Sequence, residues 1–182
     1  MVGVRRRLPL LLVITTLLAA ACTGDEASPA QPVAVERPLP DLSGPRLDGG
    51  TVDIGEFEGR PMVVNAWASW CGPCETEMPD MIALAREYAH EGVRFLGIDH
   101  NDQTAAARAF TERKGTTYPS VEDPAGRFAA QLGYIGLPAT FVVDADGMIR
   151  WAIYGPTDAA TVRPLIDDVL GISPTATPAP TR

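Results

Sequence analysis

Between residues 62 and 170 the apolar positions change period repeatedly, and each change marks an element. Met62-Val-Val-Asn-Ala-Trp-Ala68 is almost unbroken apolar sequence rich in strand formers, which predicts a central strand buried on both faces. The period then becomes helical. Cys74, Met78, Met81, Ile82, Ala85, Tyr88 and Ala89 recur every three or four residues as one stripe, predicting a helix to about His90. Pro79 lies inside it and has no N–H for the carbonyl of Glu75, so a kink is predicted there. Val93–Ile98 reads as a second strand, and the order strand, helix, strand implies a right-handed parallel unit. Asp102–Arg113 reads as a helix capped by Asn101 or Asp102, with Ala106, Ala109 and Phe110 facing in. A short strand Ser120–Glu122 and a helix Pro124–Leu132 with proline in its first turn follow. Strands Ala139–Asp144 and Met148–Tyr154 flank the turn Ala145-Asp146-Gly147, and Asp158–Leu170 closes the chain as a helix. The class is α/β, with helices covering both faces of a central mixed sheet.

Neither end fits this pattern. Arg5-Arg6-Arg7, an apolar run and Ala19-Ala20-Ala21 have the layout of a secretory signal over residues 1–21, and the apolar run is too short to span a bilayer as a helix. The small residues lead into Cys22, which resembles a bacterial lipoprotein signal whose cysteine is lipidated and becomes the first mature residue. That signal favours Leu three residues before the cysteine, where this chain has Ala19. Ordinary cleavage after Ala-x-Ala, giving a secreted protein, is the competing reading. Residues 22–36 are small and polar and read as a flexible tether, and 173–182 as a disordered tail. Residues 37–172 remain as one domain, large enough for its own core.

Charge narrows the partners. The chain has 15 Lys and Arg against 23 Asp and Glu; without Arg5, Arg6 and Arg7 the basic count is 12 and the net charge near −11. Such a surface does not suit nucleic acid or an electrostatic grip on anionic lipid.

The chemistry lies in Ser69-Trp-Cys-Gly-Pro-Cys-Glu-Thr-Glu-Met-Pro79. Structural zinc needs four ligands, but there is no second Cys-x-x-Cys, and His90 and His100 lie ten residues apart. Covalent haem attachment needs His after the second cysteine, where Glu75 stands. A purely structural disulfide across so small a loop would restrict the unfolded chain little. A redox couple suits the features better. Cys71 falls at a helix N-terminus, where unpaired N–H groups favour a thiolate, and Cys74 is within reach one turn later. Pro73 stiffens the first turn. Cys71 would attack a partner disulfide and Cys74 would resolve the mixed disulfide. No metal or other cofactor is implied. A thiol peroxidase would want a hydroxyl three residues before the nucleophile, at Ala68. Asp144-Ala-Asp146-Gly147 lacks the closing Glu of a calcium loop, since the twelfth position is Gly155.

These residues, with Leu47-Asp-Gly-Gly-Thr-Val52, Gly59–Ala68 and Tyr134-Ile-Gly-Leu-Pro-Ala-Thr-Phe-Val-Val-Asp-Ala-Asp-Gly147, resemble the thioredoxin-fold, membrane-anchored thiol–disulfide oxidoreductases of the TlpA, ResA and DsbE type. The resemblance covers nearly the whole domain. It implies a thioredoxin-like fold with an inserted strand and helix around Ser120–Leu132. It implies that Pro138 is a cis-proline beside the redox pair, whose backbone pairs with a bound partner. Trp70, Gly72, Pro73, Leu137 and Pro138 then form the partner surface, and Trp67 packs inside. Thioredoxin carries a buried Asp at the position of Asn65, which cannot titrate. Glu77 matches an acidic position of the subgroup and would take the proton of Cys74; the alternative is a solvent-facing acid near the helix N-terminus. The implied partners are protein thiols and disulfides, with apocytochrome c as the family example, and a membrane electron donor or acceptor. The implied location is the extracytoplasmic face of the bacterial cell membrane. Direction stays open. Gly72-Pro73 leans toward a reductase, and an oxidase forming disulfides in secreted proteins is the alternative. A non-enzymatic lipoprotein module that only binds a partner ranks below both.

Overall fold

The computed structural model describes residues 29–172. The expected signal segment, the expected lipidation site Cys22 and the expected tail 173–182 lie outside the described residues. Six strands form one mixed sheet: β1 (Val33–Pro38), β4 (Met62–Trp67), β5 (Arg94–His100), β6 (Ser120–Asp123), β7 (Ala139–Val143) and β8 (Met148–Tyr154). They lie in the order β1-β8-β7-β4-β5-β6. The pairs β4–β5 and β5–β6 are parallel, and β1–β8, β7–β8 and β4–β7 are antiparallel. A separate small hairpin, β2 (Gly44–Pro45) with β3 (Thr51–Val52), touches β6 through Arg46 and Val121.

β4 sets the layers, and all six of its residues are buried. Its alternation sends Met62, Val64 and Ala66 to one face, against Phe128 and Leu132 of α3 (Arg127–Leu132) and against Leu42 and Val52. Val63 points to the other face, among Met81 and Leu84 of α1 (Gly72–Glu87) and Val162, Leu165 and Ile166 of α4 (Ala159–Val169). Trp67 joins that face further along, with Met78, Ile82 and Phe110 of α2 (Thr104–Lys114). Its indole stacks on Phe110 at 5.2 Å and donates to the Ser120 hydroxyl at 3.3 Å. Gly97 lies beneath: a Cβ there would sit 2.1 Å from Ser120 Oγ and 2.6 Å from Trp67 Nε1.

Several expectations change. The tether assigned to 22–36 ends early, because β1 starts at Val33 and pairs with β8. It is an edge strand whose only half-buried residues are Val35 and Arg37, too thin a face to read as a strand. Helix α1 stops at Glu87, with Leu84 and Glu77 buried and Ala89 exposed. As read, it contains Pro79, and the carbonyl of Glu75, left without that N–H, accepts from Lys114 Nζ at 3.1 Å. In α2 the inward residues are Ala107 and Phe110, while Ala106 and Ala109 are exposed. Neither Asn101 nor Asp102 caps that helix; its N-cap is Gln103. Helix α3 begins at Arg127 rather than Pro124, since the Asp123 carboxylate accepts from the N–H groups of Arg127 and Phe128 at 2.9 and 3.0 Å. The hairpin at Ala145–Gly147 stands as read, with the Asp144 carboxylate accepting from the N–H groups of Asp146 and Met148. No helix among the described residues is long and apolar enough to cross a membrane.

Gly97→Ala should therefore cost about 1–3 kcal/mol in urea unfolding, as expected of overpacking. Wild-type stability would show that Ser120 and Trp67 can move aside.

Candidate active site

The chain turns from β4 into α1 at Cys71, the N-cap of the helix. Its backbone is extended there, and its sulfur accepts from the N–H of Cys74 at 3.2 Å. A sulfur replaces the usual capping oxygen, so one of the unpaired donors of the helix N-terminus points at Cys71. Cys71 and Cys74 are joined as a disulfide with Cα atoms 5.3 Å apart. Their exposures differ: Cys71 keeps 5% of its surface and Cys74 none. Gly72 and Pro73 are exposed, and nothing lies within 4 Å of a Cβ built on Gly72. A partner sulfur can therefore approach Cys71 over the Gly72-Pro73 turn but cannot reach Cys74.

The loop before the pair is pinned from β5. The Ser69 hydroxyl donates to Asp102 at 3.0 Å, and the Ser69 N–H donates to the same carboxylate. Asp102 thus serves the redox loop instead of capping α2. The Trp70 indole donates to the carbonyl of Asn101 at 3.1 Å, leaving its ring 60% exposed. Asn101 adopts a left-handed backbone, φ 48°, to present that carbonyl.

The Leu137–Pro138 peptide is cis, and Leu137 packs against the apolar cluster that holds both cysteines. One implied detail needs correcting. Pro138 has no N–H, and its carbonyl already accepts from Gly155 at 3.0 Å. Among the described residues the main chain of Leu137 forms no such bond, so the groups free for strand-like pairing belong to Leu137. Ile135, two residues earlier, projects fully into solvent. The sequence gives no sign of that exposure.

Glu77 is buried, only 3% exposed, so it is not a solvent-facing acid. One carboxylate oxygen accepts from Asn65 Nδ2 at 2.8 Å and the other from the Thr157 N–H at 3.0 Å. Asn65 Nδ2 also donates to the hydroxyl of Thr140, its register partner on β7, at 3.1 Å. Burial pushes the carboxyl up to about 7, against the lowering by its two donors; the charge of Asp80 adds to the rise. Glu77 is one helical turn from Cys74 on the same helix. Asn65, read only as a residue that cannot titrate, is the donor that holds this acid. Thr140 and Thr157 carry no sequence signal for that role.

A second buried acid was not anticipated. Asp99 ends the apolar run of β5 opposite Trp67, is 3% exposed, and leaves Oδ1 without a partner among the described residues. Burial, then Asp102, Glu122 and Asp123, push it up to about 7. Among the described residues no three His, Cys, Asp or Glu side chains gather as a metal site.

Comparison with known proteins agrees with this geometry. Residues 35–152 match the AhpC/TSA family. The thiol:disulfide interchange protein DsbE of Allochromatium vinosum is 38% identical over 128 residues, 69% of each chain. The thiol-disulfide oxidoreductase ResA of Bacillus cereus is 27% identical over 149 residues, 82% of this chain and 86% of that one. The crystal structure of a secreted thiol-disulfide isomerase from Corynebacterium glutamicum superposes with a TM-score of 0.72 at 26% identity, covering 78% of this chain and 92% of that one. A disulfide across a helix N-terminus, a neighbouring cis-proline and relatives of this kind lead to one assignment: the chain belongs to the AhpC/TSA family, as a thioredoxin-fold thiol–disulfide oxidoreductase of the ResA and DsbE type.

Proposed function

We propose that the protein is tethered outside the cytoplasm through a lipid on Cys22 and reduces disulfides of partner proteins there. The thiols of apocytochrome c before haem attachment are one such target, and a membrane donor supplies the electrons. The observation that carries the direction is the acid beside the resolving cysteine. An ionised Glu77 disfavours a thiolate on the same helix, and whatever destabilises the dithiol state makes the couple more reducing. The names of the DsbE and ResA relatives support thiol–disulfide exchange in general.

In the reducing direction the Cys71 thiolate attacks one sulfur of a partner disulfide. A Cys71–partner bond forms, and the other partner sulfur leaves and takes a proton. The partner segment pairs along Leu137, over the exposed ring of Trp70. Cys74 then gives its proton to Glu77, and its thiolate attacks Cys71. The Cys71–Cys74 disulfide forms, and the partner leaves as a dithiol. Two electrons have passed from the protein to the partner. The membrane donor restores the Cys71–Cys74 dithiol by the reverse exchange. Ala68, fully buried, offers no hydroxyl to a peroxide, so the peroxidase reading gains nothing.

The decisive measurement is the equilibrium potential together with the redox state of the pair in cells. A potential near the thioredoxin end, about −270 mV, and a reduced steady state are expected. An oxidised steady state would make the protein an oxidase of secreted proteins. Cys74→Ser should accumulate mixed disulfides through Cys71 that a reductant releases; adducts forming instead with Cys71→Ser would reverse the roles. Cys22→Ser should release the protein from the membrane fraction, and unchanged retention would remove the lipid tether.

Glu77 yields two further outcomes. Glu77→Gln should slow exchange, by up to about 10²-fold if general acid–base help is lost. An unchanged rate from pH 5 to 8 would end the proton role. Its pKa is also higher in the folded protein than the ordinary 4.5. The folded state therefore binds the proton more tightly, and stability falls as pH rises from 4.5 to about 7. The loss is about 3 kcal/mol from this group. Urea unfolding of the oxidised protein should show that fall, and Glu77→Gln should remove its share. Asp99 contributes a fall of the same sign, so Asp99→Asn should remove a share of its own. A slope untouched by Glu77→Gln would refute the assignment to Glu77.

A further inference from the structure

We infer that Thr157 is a further positioning residue, whose hydroxyl accepts the hydrogen bond of Glu77 once that carboxyl carries the proton of Cys74. The inference rests on the proton role proposed for Glu77 above and adds the group that holds the proton after it arrives.

The contacts in the structure are those of an ionised carboxylate. Oε1 of Glu77 accepts from Asn65 Nδ2 at 2.8 Å, and Oε2 accepts from the Thr157 N–H at 3.0 Å. Both partners donate, so neither bond serves a carboxyl that has gained a proton. Transfer breaks the S–H bond of Cys74 and forms an O–H bond on Glu77, and the electron pair stays on sulfur as the thiolate. The new O–H needs an acceptor, because a buried donor left without one is costly. Among the described residues four buried side-chain oxygens have no partner, and two of them belong to the residues that donate to Glu77: Asn65 Oδ1 and Thr157 Oγ1. Each donor to the carboxylate therefore carries an idle acceptor.

The two acceptors are not equally placed. Asn65 Nδ2 donates to Glu77 and also to Thr140 Oγ1, at 3.1 Å. For Oδ1 to face Glu77 the whole amide must turn over, which breaks both of those bonds. Thr157 gives up nothing. Its N–H stays on Oε2, and its Oγ1 lies within about 4 Å of that same nitrogen in any rotamer. Rotation about Cα–Cβ brings the hydroxyl toward Oε2, and the proton on Oε2 is then held by the residue whose N–H already marks that oxygen. Thr157 is buried, 6% exposed, so bulk water does not compete for Oγ1. The ionisable neighbours have partners of their own. Asp80 on α1 accepts from the Ala159 N–H at 3.0 Å, Asp158 ahead of α4 accepts from the Thr161 N–H at 2.8 Å, and the Tyr118 hydroxyl ahead of β6 donates to Met78 Sδ at 3.2 Å. The charge of Asp80 raises the pKa of Glu77, and the charge of Glu77 raises that of Tyr118. Strands β4 and β7 contain no ionisable residue.

The test is a carbon NMR titration of the Glu77 carboxyl in the oxidised full chain, with the signal assigned by its loss in Glu77→Gln. Thr157→Val keeps the shape and the N–H and removes only Oγ1, so the protonated form alone loses a partner. The proton affinity of Glu77 should fall by about ten- to a hundredfold, the effect of one buried donor left unpaired. The titration midpoint then moves below its value of about 7, and the pH at which a mixed disulfide resolves at half its maximal rate moves down with it. Thr157→Ser should restore both. Thr157→Ala gives the same reading should valine crowd the site. An unchanged or raised midpoint in Thr157→Val would overturn the inference and leave Glu77 as the acid. A fall that serine does not restore would assign the effect to packing and overturn it as well. A wild-type midpoint at the ordinary 4.5 would overturn the proton role of Glu77, and the inference with it.

Discussion

The carboxylate of Glu77 sits where three parts of the chain meet, and donors from two of them hold it. Asn65 reaches it from β4, Thr157 from the link between β8 and α4, and Glu77 itself belongs to α1. A carboxylate inside a protein is costly unless every oxygen has a donor, so these elements cannot move independently of one another. Thr157 is two residues from Gly155, which bonds Pro138, and next to Pro156, which accepts from Ala30. One buried acid thus links the redox helix, the cis-proline loop and the segment that precedes β1. Its donors also keep it from being wholly neutral: burial raises the pKa, the two hydrogen bonds lower it, and the balance falls near the working pH of an exchange enzyme.

The pair itself depends on an asymmetry built by the helix. Cys71 takes the N-cap position, where the chain is still extended and a sliver of its surface stays open, while Cys74 falls inside the first turn and is fully covered. The same N–H that caps the helix points at the nucleophilic sulfur. On the proposed division of attack and resolution, the partner need only reach the less covered sulfur. Lys114 supports this turn from α2. It supplies a donor in place of the one Pro79 withdraws from Glu75, and it pairs with the Glu75 carboxylate at 3.1 Å.

Much of this was legible in the chain, and the failures share a cause. β4, α1 and β8 were readable because long, strongly periodic segments leave few alternatives. The cysteines, Pro138 and the surface Trp70 came from a motif whose parts have fixed spacing. β1 was missed because an edge strand buries one thin face, and the two-residue strands of the small hairpin are too short for any period to show. The α2 cap was misread because Asp102 looks like a capping residue in sequence, and only the fold shows Ser69 competing for its carboxylate. Thr157 contributes a backbone N–H, and no side-chain pattern can announce that.

Asn65 is where sequence and structure bear most directly on each other. Read alone, it is a loss, since an amide cannot take up a proton as thioredoxin's carboxylate does. With Glu77 in place the amide is a requirement. Its Nδ2 lies 2.8 Å from a carboxylate oxygen of Glu77 and must donate. An ionised aspartate at position 65 could only accept, and two buried carboxylates at that distance cannot both be charged. They would have to share a proton and titrate as a coupled pair, one step pushed up and the other down. Neither step would then be tuned to the proton of Cys74. In this chain the buried titratable group stands on the helix that carries the cysteines, and the strand position is its hydrogen-bond donor. The need to donate to that buried acid explains why the one polar residue of an otherwise apolar strand is an amide.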